Sequence, residues 1–123
     1  MDRACRTDEG DIGVDIEYLG RSRPFRDIAD AAFGAGERRS VEAGGAAAFY
    51  RIWTLREALA KATGRGLPMV VDQQDYFGNV AASGERVPLL GRFAEIAFRP
   101  IGEGYAMATV LLRESSADSH PRL

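Results

Sequence analysis

Residues 49–67 read FYRIWTLREALAKATGRGL, and the spacing of the apolar side chains in this stretch decides the architecture. Phe49, Ile52, Trp53 and Leu59 or Ala60 recur at helical intervals, so one stripe of a helix is apolar and needs cover. Gly64 stands where a helix commonly ends, which predicts a long helix over 46–63. Gly44 and Gly45 break the chain before it, and a shorter helix is expected over 37–43. Glu57 and Lys61 are four apart and share a face of the long helix. The pair reads either as a surface ion pair contributing about 0.2 to 0.5 kcal/mol or as part of a site. Lys61 is the only lysine among 16 basic residues. Arginine stays protonated in proteins, whereas lysine can give up a proton, so a site that must protonate a phosphate tolerates arginine poorly. Trp53 lies on the apolar stripe and reads as core. Gly64-Arg65-Gly66 reads as a helix stop and turn, or as a close approach to phosphate with Arg65 supplying charge.

Outward from the helix, residues 11–17 read DIGVDIE and alternate with a period of two, which predicts a half-buried strand. Ile12, Val14 and Ile16 share one face; Asp11, Gly13, Asp15 and Glu17 share the other. A helix is expected over 20–33, with Ser22 as cap and Pro24 in its first turn. Residues 68–71 are expected as a short strand, and 72–84 as a polar stretch with a brief pairing around 76–80. Residues 92–99 and 105–112 predict a hairpin, and the tail from Glu114 a disordered segment. No repeat is present. One strand, then helices, then strands gives an α+β domain over 1–113 with an antiparallel sheet against the long helix.

Composition excludes several classes. With 123 residues and net charge −2, the chain is one domain without the basic excess of a nucleic-acid binder. Its apolar runs are too short to span a membrane, and its first residues do not form a signal peptide. Cys5 and His120 are the sole residues of their types. Both lie in polar terminal segments, which argues against a nucleophilic pair and against zinc. A single thiol suits a reducing, cytoplasmic setting.

Asp15 and Glu17 are two apart on the strand, with Cα atoms about 6.5 to 7 Å apart on one face. The spacing fits a solvated strand edge, and it also fits Mg²⁺, which takes one or two protein carboxylates and fills its shell with water and phosphate.

Together, GVDIE at 13–17 and FYRIWTLREALAKATGRGL at 49–67 resemble the two signature blocks of the 4′-phosphopantetheinyl transferase superfamily. The stretch IADAAFGAGE at 28–37 is similar to a weaker family segment, an aromatic followed by a glutamate. The resemblance implies an α+β fold and transfer of phosphopantetheine from coenzyme A to a serine of an acyl or peptidyl carrier protein. It implies Asp15, Glu17 and Glu57 as Mg²⁺ ligands, with Glu57 also taking the serine proton. Lys61 matches the lysine that neutralises or protonates the departing phosphate of 3′,5′-ADP, and Arg56, Gly64, Arg65 and Gly66 fall in the cofactor-binding stretch. Two departures stand out: Arg56 replaces the usual lysine, and Ala31 stands where a basic residue is expected. The block wording resembles the long, two-lobed members, whereas the length matches the short acyl carrier protein synthases. A homo-oligomer, dimer or trimer, is therefore expected to complete the cofactor site. A non-catalytic relative that binds coenzyme A or a carrier protein is the alternative. Arg21, Arg23 and Arg26, with Arg38 and Arg39, read as a docking patch for an acidic carrier or as a solvated face.

Overall fold

The computed structural model describes residues 5–7, 10–78 and 84–114. Its centre is α2, Ala35–Thr63, which lies across one face of an antiparallel sheet. Gly45, at φ 67° and ψ −147°, kinks this helix where the paired glycines predicted a break, so 37–43 and 46–63 are two arms of one rod. Gly64 closes it in the left-handed conformation at φ 74°, and the Arg65 amide donates back to the Ala60 carbonyl at 3.1 Å. The first helix, α1, is shorter than expected: it runs Phe25–Ala32 and has no side-chain cap. Phe33, Phe49 and Trp53 form one ring cluster, with Phe33 and Trp53 stacked on Phe49 at 5.5 and 5.8 Å and 6.5 Å from each other, and it joins the end of α1 to α2.

Among the described residues the sheet has five strands in the order β1-β2-β5-β4-β3. These are β1 Cys5–Thr7, β2 Gly10–Tyr18, β3 Arg86–Leu89, β4 Arg92–Ile101 and β5 Tyr105–Arg113. The expected hairpin is the pair β4 and β5, with Ile101 opposite Tyr105. Strand β3 was not expected: Pro88 weakens the pattern of a strand but is tolerated at a sheet edge. Residues 67–70 are the helical turn α3, Leu67–Val70, not a strand. Gly66 enters it at φ 72° and Pro68 sits in its first turn, so the backbone coils and turns the carbonyls of Met69 and Val70 toward Arg56. No strand forms at 76–78; the rest of the expected pairing, like the tail beyond Glu114, lies outside the described residues.

The half of β2 that is buried is the acidic one. Gly13 and Asp15 are buried and Glu17 is half-buried against α2, whereas Val14 and Ile16 are 41% and 53% exposed. Gly13 explains the contact. A Cβ there would overlap the Ala58 carbonyl oxygen and the Ala62 amide nitrogen, so only glycine lets the helix backbone lie against the strand. Small residues across the sheet, Ala106 and Ala108, keep the same groove shallow. Gly13→Ala should therefore cost about 3 kcal/mol, the upper end of an overpacking penalty, because backbone rather than a flexible side chain must move. Urea unfolding checks this, with a midpoint close to the parent's as the contrary result.

Candidate active site

Close helix–strand packing brings the two sequence blocks together. Asp15 comes from the middle of β2 and Lys61 from the last turns of α2, and Lys61 Nζ donates to Asp15 Oδ1 at 2.9 Å. The lysine thus reaches across the groove to the strand. Asp15 is 6% exposed, and its other oxygen, Oδ2, is buried without a hydrogen-bond partner among the described residues. Glu17 lies on the same face, with Arg23 Nη2 at 3.5 Å from its Oε1. Glu57 sits one turn before Lys61, half-buried, near enough for its charge to act on Glu17.

Two carboxylates in one groove cannot both ionise freely. Burial, the hydrogen bond to Asp15 and the Asp15 charge push Glu17 up to about 7; Arg23 opposes this and Glu57 adds to it. A proton on Glu17 supplies the donor that Asp15 Oδ2 lacks, and a cation would supply the same compensation. The unfolded chain gives up this proton near 4.5, the folded chain only near 7. Between those values the folded state holds the extra proton, so metal-free stability falls as pH rises from about 4.5 to 7 and then levels. Glu17→Gln should flatten that slope in thermal melts taken across the window; an unchanged slope would assign it elsewhere.

The acid set fits a hard divalent ion as a pair rather than as a cage. Among the described residues no three carboxylate, histidine or cysteine side chains converge on one centre. Asp15, whose Oδ2 is buried without a partner, and Glu17 are the number of protein carboxylates Mg²⁺ ordinarily takes. The structure thus brings Asp15, Glu17 and Lys61 together, with Glu57 beside them.

Arg56 is elsewhere, and its expected cofactor contact is corrected. It is 1% exposed, and every guanidinium N–H is engaged. Nε donates to Val70 O at 2.7 Å, Nη1 to Glu37 Oε1 and to Gln74 O, and Nη2 to Ala32 O and Asp72 Oδ1. Glu37, fully buried, also accepts the amides of Gly34, Tyr76 and Phe77, each at 3.0 Å. The fork that replaces the family's lysine is therefore a cross-link between α1, α2, α3 and the 72–77 loop. Asp72 is exposed; its slight burial raises its carboxyl, but hydrogen bonds from Tyr76, Gln74 and Arg56 and the Arg56 charge outweigh this and hold it below the usual range. Sequence reasoning missed this hub; the aromatic-then-glutamate segment, Phe33 and Glu37, was its signal. Gly64 and Gly66 are accounted for by their positive φ, and Arg65 is exposed beside them. Trp53 packs on the core, as its helical position suggested. A cleft of about 420 Å³ opens between β3 and residues 75–78, and neither Asp15 nor Glu17 lines it.

A helix packed across a mixed-length antiparallel sheet, with a carboxylate pair and a lysine in the groove between them, defines an α+β domain. The family model of the 4′-phosphopantetheinyl transferase superfamily matches residues 11–110, and the chain belongs to that superfamily. It is 42% identical over 62 residues to the 4′-phosphopantetheinyl transferase AcpT of Salmonella typhi, a match covering 47% of this chain and 32% of the relative. The corresponding protein of Escherichia coli K12 is 37% identical over the same length. The matched region is thus about a third of the curated relatives' length. Among solved structures, the holo-[acyl-carrier-protein] synthase of Thermotoga maritima superposes with a TM-score of 0.53 at 19% identity, covering 84% of this chain and 62% of that one. At that identity the likeness concerns the fold.

Proposed function

We propose that this chain transfers 4′-phosphopantetheine from coenzyme A to a serine hydroxyl of an acyl or peptidyl carrier protein, in a Mg²⁺-dependent reaction that releases 3′,5′-ADP. The observation that carries the reading is the Asp15 side chain, with Lys61 on one oxygen and a buried second oxygen that has no hydrogen-bond partner, on the same strand face as Glu17. Asp15 and Glu17 would hold the metal, with Glu57 as the third acid beside them. Bound there, Mg²⁺ would supply positive charge to the pyrophosphate of coenzyme A. Glu57 accepts the serine proton in this scheme, and Lys61 neutralises or protonates the departing phosphate. Lys61 is 27% exposed, so it can leave Asp15 for an incoming phosphate without unfolding anything. Arg65, exposed at the end of α2, adds charge near that phosphate.

Two surfaces fit macromolecular partners. Arg21, just before α1, and Arg26, in its first turn, are exposed and suited to an acidic carrier protein. Arg38 is partly committed, donating to the Phe33 carbonyl at 2.7 Å. The outer face of the sheet suits a second copy of the chain. Along β2 and the adjoining stretch of β5 it presents an apolar strip, Ile12, Val14, Ile16, Tyr18, Tyr105 and Met107, bordered on the same face by Glu95 and Arg99 of β4, and Tyr18 and Tyr105 pack at 5.1 Å. Contiguous exposed apolar side chains of this kind mark an interface. Sedimentation equilibrium on the parent and on Ile16→Glu tests the pairing; a monomeric parent would refute it.

The transfer reading is tested by incubating the protein with coenzyme A, Mg²⁺ and apo-carrier proteins and looking for the phosphopantetheine adduct by mass spectrometry. Adduct that disappears with chelator supports it. Binding of coenzyme A or carrier without adduct favours a non-catalytic relative. No helix among the described residues is long and apolar enough to cross a membrane.

A further inference from the structure

Arg23 belongs by sequence to the basic segment before α1, yet its guanidinium is not simply solvated. It is 19% exposed and stands 3.5 Å from Glu17 Oε1. Its other contact is the ring of Tyr50 on α2, with the guanidinium carbon 5.7 Å from the ring centroid. Tyr50 is buried, and its hydroxyl donates to the Arg21 carbonyl at 3.0 Å, which pins the backbone two residues before Arg23. The side chain is thus tethered at its base and offered two seats, an acid and an aromatic face.

From this arrangement we infer that Arg23 is a positioning residue that competes with the divalent cation for Glu17, and so sets how tightly the metal is held. The inference rests on the metal reading of Asp15 and Glu17 above. A single contact at 3.5 Å, without the two parallel hydrogen bonds of a fork-on-carboxylate pair, is a weak hold and is readily exchanged. When Glu17 turns to a cation, Arg23 retains the Tyr50 ring, where a cation over an aromatic face is still favourable. Competition of this kind works in one direction. The guanidinium neutralises Glu17 when the metal is absent and repels the metal when it arrives, so removing its charge must tighten metal binding. A residue that merely shaped the loop would loosen the site when removed. Arg26 provides the comparison: it lies three residues on, over the Phe25 ring at 4.9 Å, and no ion pair joins it to the acids among the described contacts.

Isothermal titration of the full chain with Mn²⁺, at fixed ionic strength and pH 7.5, reads the effect directly. Arg23→Gln should bind about five- to tenfold more tightly than the parent, a size expected for one charge a few ångströms from a divalent ion in a partly solvated groove. Arg23→Lys, which keeps the charge, and Arg26→Gln, which removes a charge from the same segment, should stay within twofold of the parent. Equal or weaker binding by Arg23→Gln, with the parent still binding, overturns the inference and leaves the metal reading standing. Equal tightening by Arg26→Gln also overturns it, since the effect would then be general charge. Absence of Mn²⁺ binding by both parent and Arg23→Gln removes the metal reading and this inference with it.

Discussion

Replacing Arg56 with methionine is expected to destabilise the fold by about 3 to 5 kcal/mol, the cost of leaving a buried charge without its partner. Glu37 is the charge left behind. It is fully buried, and three backbone amides hold it in place whether or not Arg56 is present. Removing the guanidinium also strands the carbonyls of Val70, Gln74 and Ala32, which have folded toward it. A loss of that size is a large share of the roughly 5 to 15 kcal/mol that a domain holds in total. Arg56→Lys should fall between parent and methionine variant, because three donors on a flexible stem cannot meet acceptors on four elements. Adding Glu37→Gln to Arg56→Met should recover part of the loss, since neighbouring groups in one network do not act additively. Denaturant unfolding checks all three. Had Arg56 been a phosphate ligand, the methionine variant would keep its stability and lose affinity for coenzyme A instead; that outcome would refute the structural assignment.

Asp15→Asn should lower activity without lowering stability. Transfer is expected to fall by at least about 10²-fold, the low end of what a positioned acid or base contributes, because the amide supplies neither the charge nor the second anionic oxygen a hard cation selects. The metal-free protein should lose no stability. Its buried Oδ2 has no partner, and an amide nitrogen in that place can donate to Glu17. The lost ion pair with Lys61 offsets little, since that lysine is partly exposed. Thermal melts without metal and single-turnover adduct formation with it, on the same preparations, separate the two effects. A variant that melts well below the parent would mean that Asp15 is a structural acid and that the groove has another purpose.

The fold was legible where periodicity and chain breakers agreed. Phe49, Ile52 and Trp53 marked the core stripe of α2, and Gly44-Gly45 and Gly64 marked its kink and its end. The period of two in residues 11–17 located β2 but could not say which face turned inward. Hydrophobicity alone points to Ile12, Val14 and Ile16; the helix instead packs on the face with Gly13, because backbone proximity outranks side-chain character there. The glycine was the signal. The same inversion makes Asp15 a buried acid rather than a solvated edge. Arg56 and Glu37 were legible as charged residues on helices but not as a buried pair, since their acceptors are loop carbonyls whose direction no local pattern encodes. Residues 68–71 misled because a short apolar run after a proline is strand-like in composition, whereas Gly66 at positive φ and Pro68 in the first turn coil the backbone, and its carbonyls then meet Arg56.

Paramagnetic broadening by Mn²⁺ reads the acid pair most directly. In an amide-resolved NMR spectrum of the labelled protein, substoichiometric Mn²⁺ should erase the resonances of residues 14–18 and 57–61 first, and Asp15→Asn should protect them. Selective broadening around Asp72 and Asp75 instead, or no selective broadening at all, would contradict the assignment of the helix–strand groove as the metal and phosphate site.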